Sequence, residues 1–355
     1  MGRILIGSRG RARLVALVAA VTLTAGPAVV LDATSATSAS AGPKGYTTIS
    51  HDPGVDPDTC QLASVDLGAG GAVTPIGPSF TFNIDGCPFD LAIRAGDARI
   101  WAVIQPNLGA AGVGTLDPAF PGATGNDEPV PATDGPVAPA SPSSAVLVTI
   151  DPTTGVRTPV GALGFAVNFE SGALAFDAAG TLWFYSVSDD PQCALNLDPA
   201  NFLGQCLYRL DPATGNATLV ARGPVLSEDA DVNNVVFGGT ASCENVLANT
   251  YTIADPVVGV LNTVDTTTAA LTPKPTTYAP NFLLGLERDA AGTLWGIGKH
   301  DADPEATFTI DPVTGAATKV ADLTTPNADD TLIGLAIAGL VCPVAAVEIA
   351  PRFTG

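Results

Sequence analysis

Positive charge is scarce in this sequence of 355 residues. Lys and Arg together number 15 against 35 Asp and Glu, and the formal net charge at pH 7 is −20. Proteins that bind nucleic acids neutralise phosphates with clustered Lys and Arg, so that class of function is excluded. Charged residues make up only 14% of the chain while hydrophobic residues make up 46%, and this balance argues against wholesale disorder.

Motifs of common catalytic sites are also lacking. The chain has no G-x-S-x-G nucleophile elbow, no H-E-x-x-H zinc motif, no P-loop and no dinucleotide-binding glycine fingerprint. Its two histidines are His51 and His300, and no cysteines stand in the C-x-x-C spacing of zinc ribbons. We therefore expect both histidines to be surface residues and predict no catalytic residue, so a non-enzyme is favoured over an enzyme.

The N-terminus carries the features of an export signal. Four arginines precede an apolar stretch at 14–31, and an A-S-A tripeptide ending at Ala41 suits a cleavage site. We expect cleavage after Ala41, with Ala36 as the second choice, and hence a signal peptide at 1–41 and a secreted protein. The apolar run at 332–347 is interrupted by Pro343 and is shorter than the about 20 residues that a membrane helix needs. No membrane span is expected after cleavage.

A hairpin motif recurs along the chain. It reads VTIDPTTG at 148–155, YRLDPATG at 208–215 and FTIDPVTG at 308–315, with degenerate copies at 63–70 and 261–268. Strand-forming residues run into D-P-x-T-G, in which Asp caps the turn, Pro fixes φ and Gly accepts a positive φ. The 38 glycines and 30 prolines of the chain suit many such turns and exclude a helical bundle.

A second hairpin alternates with the first. It reads ALAFDAAGTLWFY at 173–185 and GLERDAAGTLWGI at 285–297, with looser copies at 90–101, 235–239 and 332–338. Each copy is a strand, a tight glycine turn and a second strand. Four strands per unit, repeated five times, predict an all-β fold of the β-propeller type. A tryptophan recurs at one position, and we expect it to pack between repeats rather than to stack on sugars (Trp101, Trp183 and Trp295).

The alternation of G-L-A-x-D-x-x-G-T-L-W with L-Y-x-I-D-P-x-T-G-x-x-T resembles the NHL and YVTN types of bacterial propeller repeat. The resemblance covers 60–342 and implies one propeller domain at 60–349 with five four-stranded blades, six blades being the alternative. It implies four blades in chain order and a fifth that is closed by the two chain ends. The four blades in chain order are 89–160, 172–221, 234–272 and 283–322. The fifth blade takes its inner strands from 332–349 and its outer strands from 61–75.

Four further segments complete the predicted organisation. They are an N-terminal lead-in at 42–59, a flexible insertion rich in Pro, Gly and Ala at 106–143, an insertion bracketed by cysteines at 189–205, and a tail at 350–355. Both insertions leave the predicted blades between their second and third strands. We therefore expect both insertions on one face of the disc.

Six cysteines follow the predicted signal, and an even number in an exported protein predicts three disulfides. Strands of a blade alternate in direction, so the blade mapping tells which cysteines share a face. The predicted pairs are Cys60–Cys87, Cys193–Cys206 and Cys243–Cys342. A bond between Cys60 and Cys342 is the alternative, since it would join the two chain ends of the split blade.

Carboxylate or amide side chains precede the inner strand of every repeat. In a propeller the inner strands line the central channel, so these oxygens would converge at one mouth, and Ca²⁺ prefers oxygen ligands of this type. The set is similar in type to the metal ligands of gluconolactonase-like propeller hydrolases, and this similarity implies the candidate ligands Glu170, Asn233, Asn234, Asn281 and Asp330. The alternative is that these residues only cap turns.

The features together favour a secreted binding module whose ligand is an unknown protein, glycan or small molecule, and which is a monomer. The first alternative is a divalent-cation-dependent hydrolase or lactonase with its site at the channel mouth. The second alternative is a structural protein of the envelope or matrix, which the acidity and the disulfides favour.

Overall fold

The computed structural model of the chain describes residues 42–51, 59–68, 71–81, 85–106, 144–167, 172–188, 190–193, 204–225, 235–241, 246–252, 258–278, 282–299, 304–327 and 330–338. The predicted signal at 1–41 and the predicted tail at 350–355 lie outside these residues. Most of the two predicted insertions also lies outside them.

Twenty β-strands occur in the described residues. They are β1 (Lys44–His51), β2 (Thr59–Asp66), β3 (Val73–Thr81), β4 (Leu91–Ile93), β5 (Ile100–Ile104), β6 (Val146–Ile150), β7 (Arg157–Ala162), β8 (Ala173–Phe176), β9 (Leu182–Val187), β10 (Gly204–Leu210), β11 (Ala217–Val225), β12 (Val235–Ala241), β13 (Val246–Thr252), β14 (Val258–Val264), β15 (Leu271–Tyr278), β16 (Phe282–Arg288), β17 (Leu294–Lys299), β18 (Ala306–Ile310), β19 (Ala317–Asp322) and β20 (Asp330–Ile337).

The strands form five antiparallel sheets of four strands each, and these sheets are the blades of a propeller. Blades 1 to 4 follow the chain as β4–β7, β8–β11, β12–β15 and β16–β19, and blade 5 has the order β20-β1-β2-β3. The innermost strands contact one another in a closed ring: β4, β8, β12, β16 and β20. The prediction of five blades, closed by the two chain ends, is confirmed.

Blade 5 is divided between the chain ends in a way that corrects the predicted mapping. Among the described residues, the C-terminal part supplies the innermost strand, β20, and not both inner strands as predicted from 332–349. The second position is taken by β1, which lies in the segment 42–59 predicted to be a lead-in, and which pairs with β2 without interruption from Lys44↔Asp66 to His51↔Thr59. This strand carries no hairpin motif, so its β-forming Thr and Ile residues were the only local signal.

The hydrophobic core lies between the blades. Five clusters of buried side chains each join two neighbouring blades. Trp101 meets Phe176 between blades 1 and 2, with ring centroids 5.7 Å apart. Trp295 is buried between blades 4 and 5, and Trp183 packs half-buried between blades 2 and 3. The predicted packing role of the recurring tryptophan is confirmed.

The D-P-x-T-G turns also join neighbouring blades. In the turn of blade 2, the backbone N–H of Ala213 donates to Oδ1 of Asp211 at 2.9 Å, and Gly215 has a φ of +77°. A Cβ on Gly215 would lie 2.5 Å from the carbonyl oxygen of Gly161, in the outer strand of blade 1. Glycine is therefore needed for the positive φ and for the close approach of the next blade.

Two predicted disulfides are present, Cys60–Cys87 and Cys193–Cys206. The first of them rules out the alternative bond between Cys60 and Cys342. Cys243 and Cys342 lie outside the described residues, so their pairing stays a prediction.

Candidate functional site

Of the five predicted metal ligands, only Asp330 lies in the described part of the chain. Glu170, Asn233, Asn234 and Asn281 lie outside it. Among the described residues, no group of three or more His, Cys, Asp or Glu side chains is arranged to hold a metal ion. Calcium binding therefore stays a prediction.

Asp330 is buried, and both of its carboxylate oxygens have partners within the protein. Its Oδ1 lies 2.6 Å from Nδ1 of His51, and its Oδ2 accepts the backbone N–H of Asn327 at 2.9 Å. The pairing follows from the register of blade 5, in which His51 at the end of β1 is opposite Asp330 at the start of β20. His51 was expected at the surface, but its side chain is only 19% exposed.

Two more charged side chains contact β20 just beyond this pair. Nζ of Lys299 donates to Oγ1 of Thr331 at 3.2 Å and lies 4.0 Å from Oε1 of Glu305. The same oxygen of Glu305 accepts the backbone N–H of Leu332 at 3.4 Å. Burial raises the pKa of Glu305 to about 7, although Lys299 opposes the shift. The start of β20 is thus a polar region of mixed charge between blades 4 and 5.

A second carboxylate, Asp90, lies among the innermost strands and ties three of them together. Its Oδ1 accepts the backbone N–H of Leu91 at 2.9 Å, and its Oδ2 accepts those of Leu174 at 2.8 Å and Gly239 at 2.9 Å. These donors belong to blades 1, 2 and 3. Burial raises the pKa of Asp90 well above its usual range, the three N–H bonds oppose the shift, and the charge of Glu287 adds to it.

Glu287 on the innermost strand of blade 4 has a related position. Its Oε1 accepts the hydroxyl of Thr240 in blade 3 at 2.5 Å and the backbone N–H of Arg288 at 2.8 Å. Burial raises its pKa to about 8, against the effect of these bonds and of the Arg288 charge. Thr240 and Glu287 therefore link the inner strands of two neighbouring blades.

At each of these two positions of the inner strand, one blade carries an acid and the other four carry small residues. Aligned on the inner strand, Asp90 corresponds to small residues in the other blades (Ala173, Gly238, Gly285 and Gly334). Glu287 likewise corresponds to small residues (Ala92, Ala175, Thr240 and Ala336). Inner strands approach closely, since a Cβ on Gly285 would lie 2.5 Å from the carbonyl carbon of Gly334. Each carboxylate thus occupies a position that is small in the other four blades, and comparison of the repeats could have found both.

A cavity of about 480 Å³ lies at the turns of blade 2. It is lined by Leu210 and Pro212 together with the polar residues Thr181, Arg209, Asp211, Asn216 and Thr218. The end of the first hairpin turn provides Thr181, and the D-P-x-T-G hairpin provides the rest. The cavity is an open depression of the surface, so a ligand bound there would keep part of its own surface exposed to solvent.

Two residues of this cavity depart from the repeat. The position of Arg209 is occupied by threonine in three other blades (Thr149, Thr263 and Thr309). The position of Asn216 is occupied by small apolar residues in the same blades (Val156, Ala270 and Ala316). Both side chains are exposed, so the departures are not a response to packing in the core. Neither residue was predicted as a candidate from the sequence, although comparison of the repeats contains the signal.

Comparisons with known proteins found similar solved structures but no similar sequence. No protein-family model matches the sequence, and no curated protein sequence matches it. Similar solved structures include the β-xylosidase RS223 (13% identity, TM-score 0.46, 80% of this chain and 96% of that chain). They also include TolB from Acinetobacter baumannii (11% identity, TM-score 0.39, 78% of this chain and 53% of that chain). A third is a gluconolactonase-like protein (17% identity, TM-score 0.32, 52% of this chain and 61% of that chain). The chain spans about half the length of TolB, and these similarities concern the fold alone.

Within the described ranges, no helix has both the length and the apolar character needed to cross a membrane.

Proposed function

We propose that this protein is an exported β-propeller that binds a ligand in the cavity of blade 2. The observation that carries the proposal is the departure from the repeat at Arg209 and Asn216, which both line the cavity. Other blades form the same hairpin with threonine, valine or alanine at these positions, so folding does not require Arg or Asn there. A polar side chain that folding does not require, and that lines a cavity, is suited to recognition.

The contacts of the two inner carboxylates also support this location for the ligand. Asp90 accepts backbone N–H groups from three blades, and Glu287 accepts a hydroxyl from the neighbouring blade. Buried polar groups engaged in this way hold strands together. Their described contacts are accounted for by the fold, whereas the exposed side chains of Arg209 and Asn216 have no equivalent structural task among the described residues.

A thermal-shift screen tests the proposal. Small sugars, sugar acids, amino acids and short peptides are added to the wild-type protein and to the double variant Arg209→Thr/Asn216→Ala. We expect the double variant to melt like the wild type without ligand, because both substitutions introduce residues that other blades carry. At least one compound should raise the melting temperature of the wild type alone. A screen in which no compound does so would contradict the proposal and favour the structural alternative.

A second candidate function is hydrolysis at the start of β20, and the pair of His51 and Asp330 favours it. A carboxylate that holds one imidazole nitrogen, here with Nδ1 and Oδ1 2.6 Å apart, leaves the other nitrogen to act as a general base. The partly exposed ring would take a proton from a water molecule that attacks an ester or lactone carbonyl. It would then return that proton to the alkoxide as the acyl C–O bond breaks, which yields the carboxylic acid and the alcohol. The cation predicted for this mouth would polarise that carbonyl.

Enzyme assays separate this candidate from the first. Hydrolysis of 4-nitrophenyl acetate and of simple lactones is followed with and without Ca²⁺ for the wild type, His51→Gln and Asp330→Asn. The hydrolase hypothesis predicts repeated turnover that falls by about 10²-fold or more in both variants. A wild type that completes no more than one turnover would contradict it.

A further inference from the structure

The cavity of blade 2 contains a positive charge that lacks a partner among the described residues. Arg209 lies on β10, where its register neighbours are Trp183 on β9 and Thr218 on β11. Its side chain is exposed, and no acidic side chain in the described segments forms an ion pair with it. Arg209 is the arginine of the cavity lining, and an exposed positive charge at that place favours an anionic ligand.

The nearest acid in sequence, Asp211, uses its carboxylate inside its own turn. Its Oδ1 accepts the backbone N–H of Ala213 at 2.9 Å, and its Oδ2 accepts the hydroxyl of Thr214 at 2.8 Å. These bonds lower the pKa of Asp211, so its charge persists at neutral pH. Because Asp211 also lines the cavity, it repels anions of high charge and favours a monoanion such as a carboxylate over a phosphate or sulfate.

The remaining polar lining is neutral. Thr181 and Thr218 carry hydroxyls and Asn216 carries an amide, and these groups both donate and accept hydrogen bonds. Such groups suit the hydroxyls of a ligand. The planar guanidinium of Arg209 suits a carboxylate, since its parallel N–H groups match the two carboxylate oxygens.

We propose that the cavity binds a small carboxylate that carries hydroxyl groups, as a sugar acid does. The carboxylate is held by Arg209, and the hydroxyls are held by Asn216 and the two threonines. This proposal rests on the proposed function, because it names the ligand class of the same cavity. The proposed function is satisfied by any ligand of the cavity, whereas this proposal requires that the ligand carry a negative charge.

Titration calorimetry with four probes tests the charge requirement. The probes are glucuronate, which has both features, glucose, which lacks the charge, acetate, which lacks the hydroxyls, and sulfate, which is a dianion. We expect the wild type to bind glucuronate at least about tenfold more tightly than any of the other three, since a bond to a charged group contributes at least about one factor of ten.

Variants of blade 2 locate the binding. Arg209→Thr should weaken glucuronate binding by about 10- to 100-fold, and Arg209→Lys should weaken it less. The matched control is Arg222→Thr, which removes the same charge from an exposed arginine of this blade whose Nε donates to the Gln192 carbonyl at 2.7 Å. The control should bind glucuronate like the wild type, because its charge lies outside the cavity lining.

The outcomes distinguish this inference from the proposed function. If Arg209→Thr binds glucuronate as tightly as the wild type, or if Arg222→Thr weakens binding equally, the inference is wrong. If a neutral compound binds in a manner that Asn216→Ala abolishes while glucuronate does not bind, the proposed function stands and the inference fails. If neither glucuronate nor any compound of the screen binds, both are wrong.

Discussion

Replacement of Glu287 by glutamine is expected to stabilise the propeller at neutral and alkaline pH. The residue is 6% exposed, and burial raises its pKa from an ordinary value of 4.5 to about 8. Between these two pH values the folded protein therefore keeps a proton that the unfolded chain has lost. Glutamine resembles the protonated side chain in shape and accepts the same bonds from Thr240 and Arg288, but it never ionises.

The magnitude follows from the pKa difference. One pKa unit corresponds to about 1.4 kcal/mol, so a rise from 4.5 to about 8 corresponds to about 5 kcal/mol. Below pH 4.5 Glu287 is protonated in both the folded and the unfolded protein, so its raised pKa does not lower the free energy of unfolding there. Between the two values the folded state binds more protons, so the free energy of unfolding of the wild type falls as pH rises. Above about 8 both states are ionised and the loss is complete.

Urea denaturation at several pH values between about 4.5 and 8.5 measures this effect. The free energy of unfolding of Glu287→Gln minus that of the wild type should be near zero at the acid end. It should reach several kcal/mol in favour of the variant at the alkaline end. Asp322→Asn is the control, because this carboxylate is 59% exposed and its replacement should leave the pH profile parallel to that of the wild type. Taking differences removes the contribution that Glu305 makes to both proteins, whereas Asp90 contributes to the difference because the charge of Glu287 helps to raise its pKa.

The reasoning would be refuted by a difference that does not grow with pH. A variant that is less stable than the wild type at pH 8 would mean that ionised Glu287 is stabilised in the folded state. In that case the bonds from Thr240 and Arg288 would outweigh the cost of burial.

Three other predictions concern the ring, the cation and the third disulfide. Gly215→Ala should lower the free energy of unfolding by about 2–5 kcal/mol, from the strain of a positive φ and the overlap with Gly161; urea denaturation checks it. If the predicted Ca²⁺ site that includes Asp330 exists, millimolar Ca²⁺ should raise the melting temperature above that in EDTA. An unchanged melting temperature would count against the site. A non-reducing peptide map should link Cys243 to Cys342, and a different partner would disprove that pairing.

Local patterns were sufficient to predict the architecture. Each blade contains hairpins whose turn residues are short-range signals, as the contacts of Asp211 with the next residues of its own turn show. Strand pairing within a blade follows from those turns. The count of five follows from the number of copies, and the packing role of Trp101, Trp183 and Trp295 follows from their recurrence.

The strand β1 shows where local patterns were insufficient. Lys44–His51 has no turn motif, and its place in blade 5 depends on pairing with β2 on one side and with β20 on the other. The second of these partners is almost 300 residues away in the chain. The register between them also brings His51 to Asp330, a contact that neither residue's own neighbourhood predicts.

The amino-acid sequence by itself determined the fold class, the number of blades, the turns and two disulfides, because these depend on short stretches that repeat. Only the tertiary structure decided which side chains meet across blades. It placed Asp90 against the backbones of three strands, joined Thr240 to Glu287, and set Arg209 beside the hydroxyls and amide of one cavity. Such contacts depend on how the ring closes, since closure alone brings residues from distant repeats within hydrogen-bonding distance.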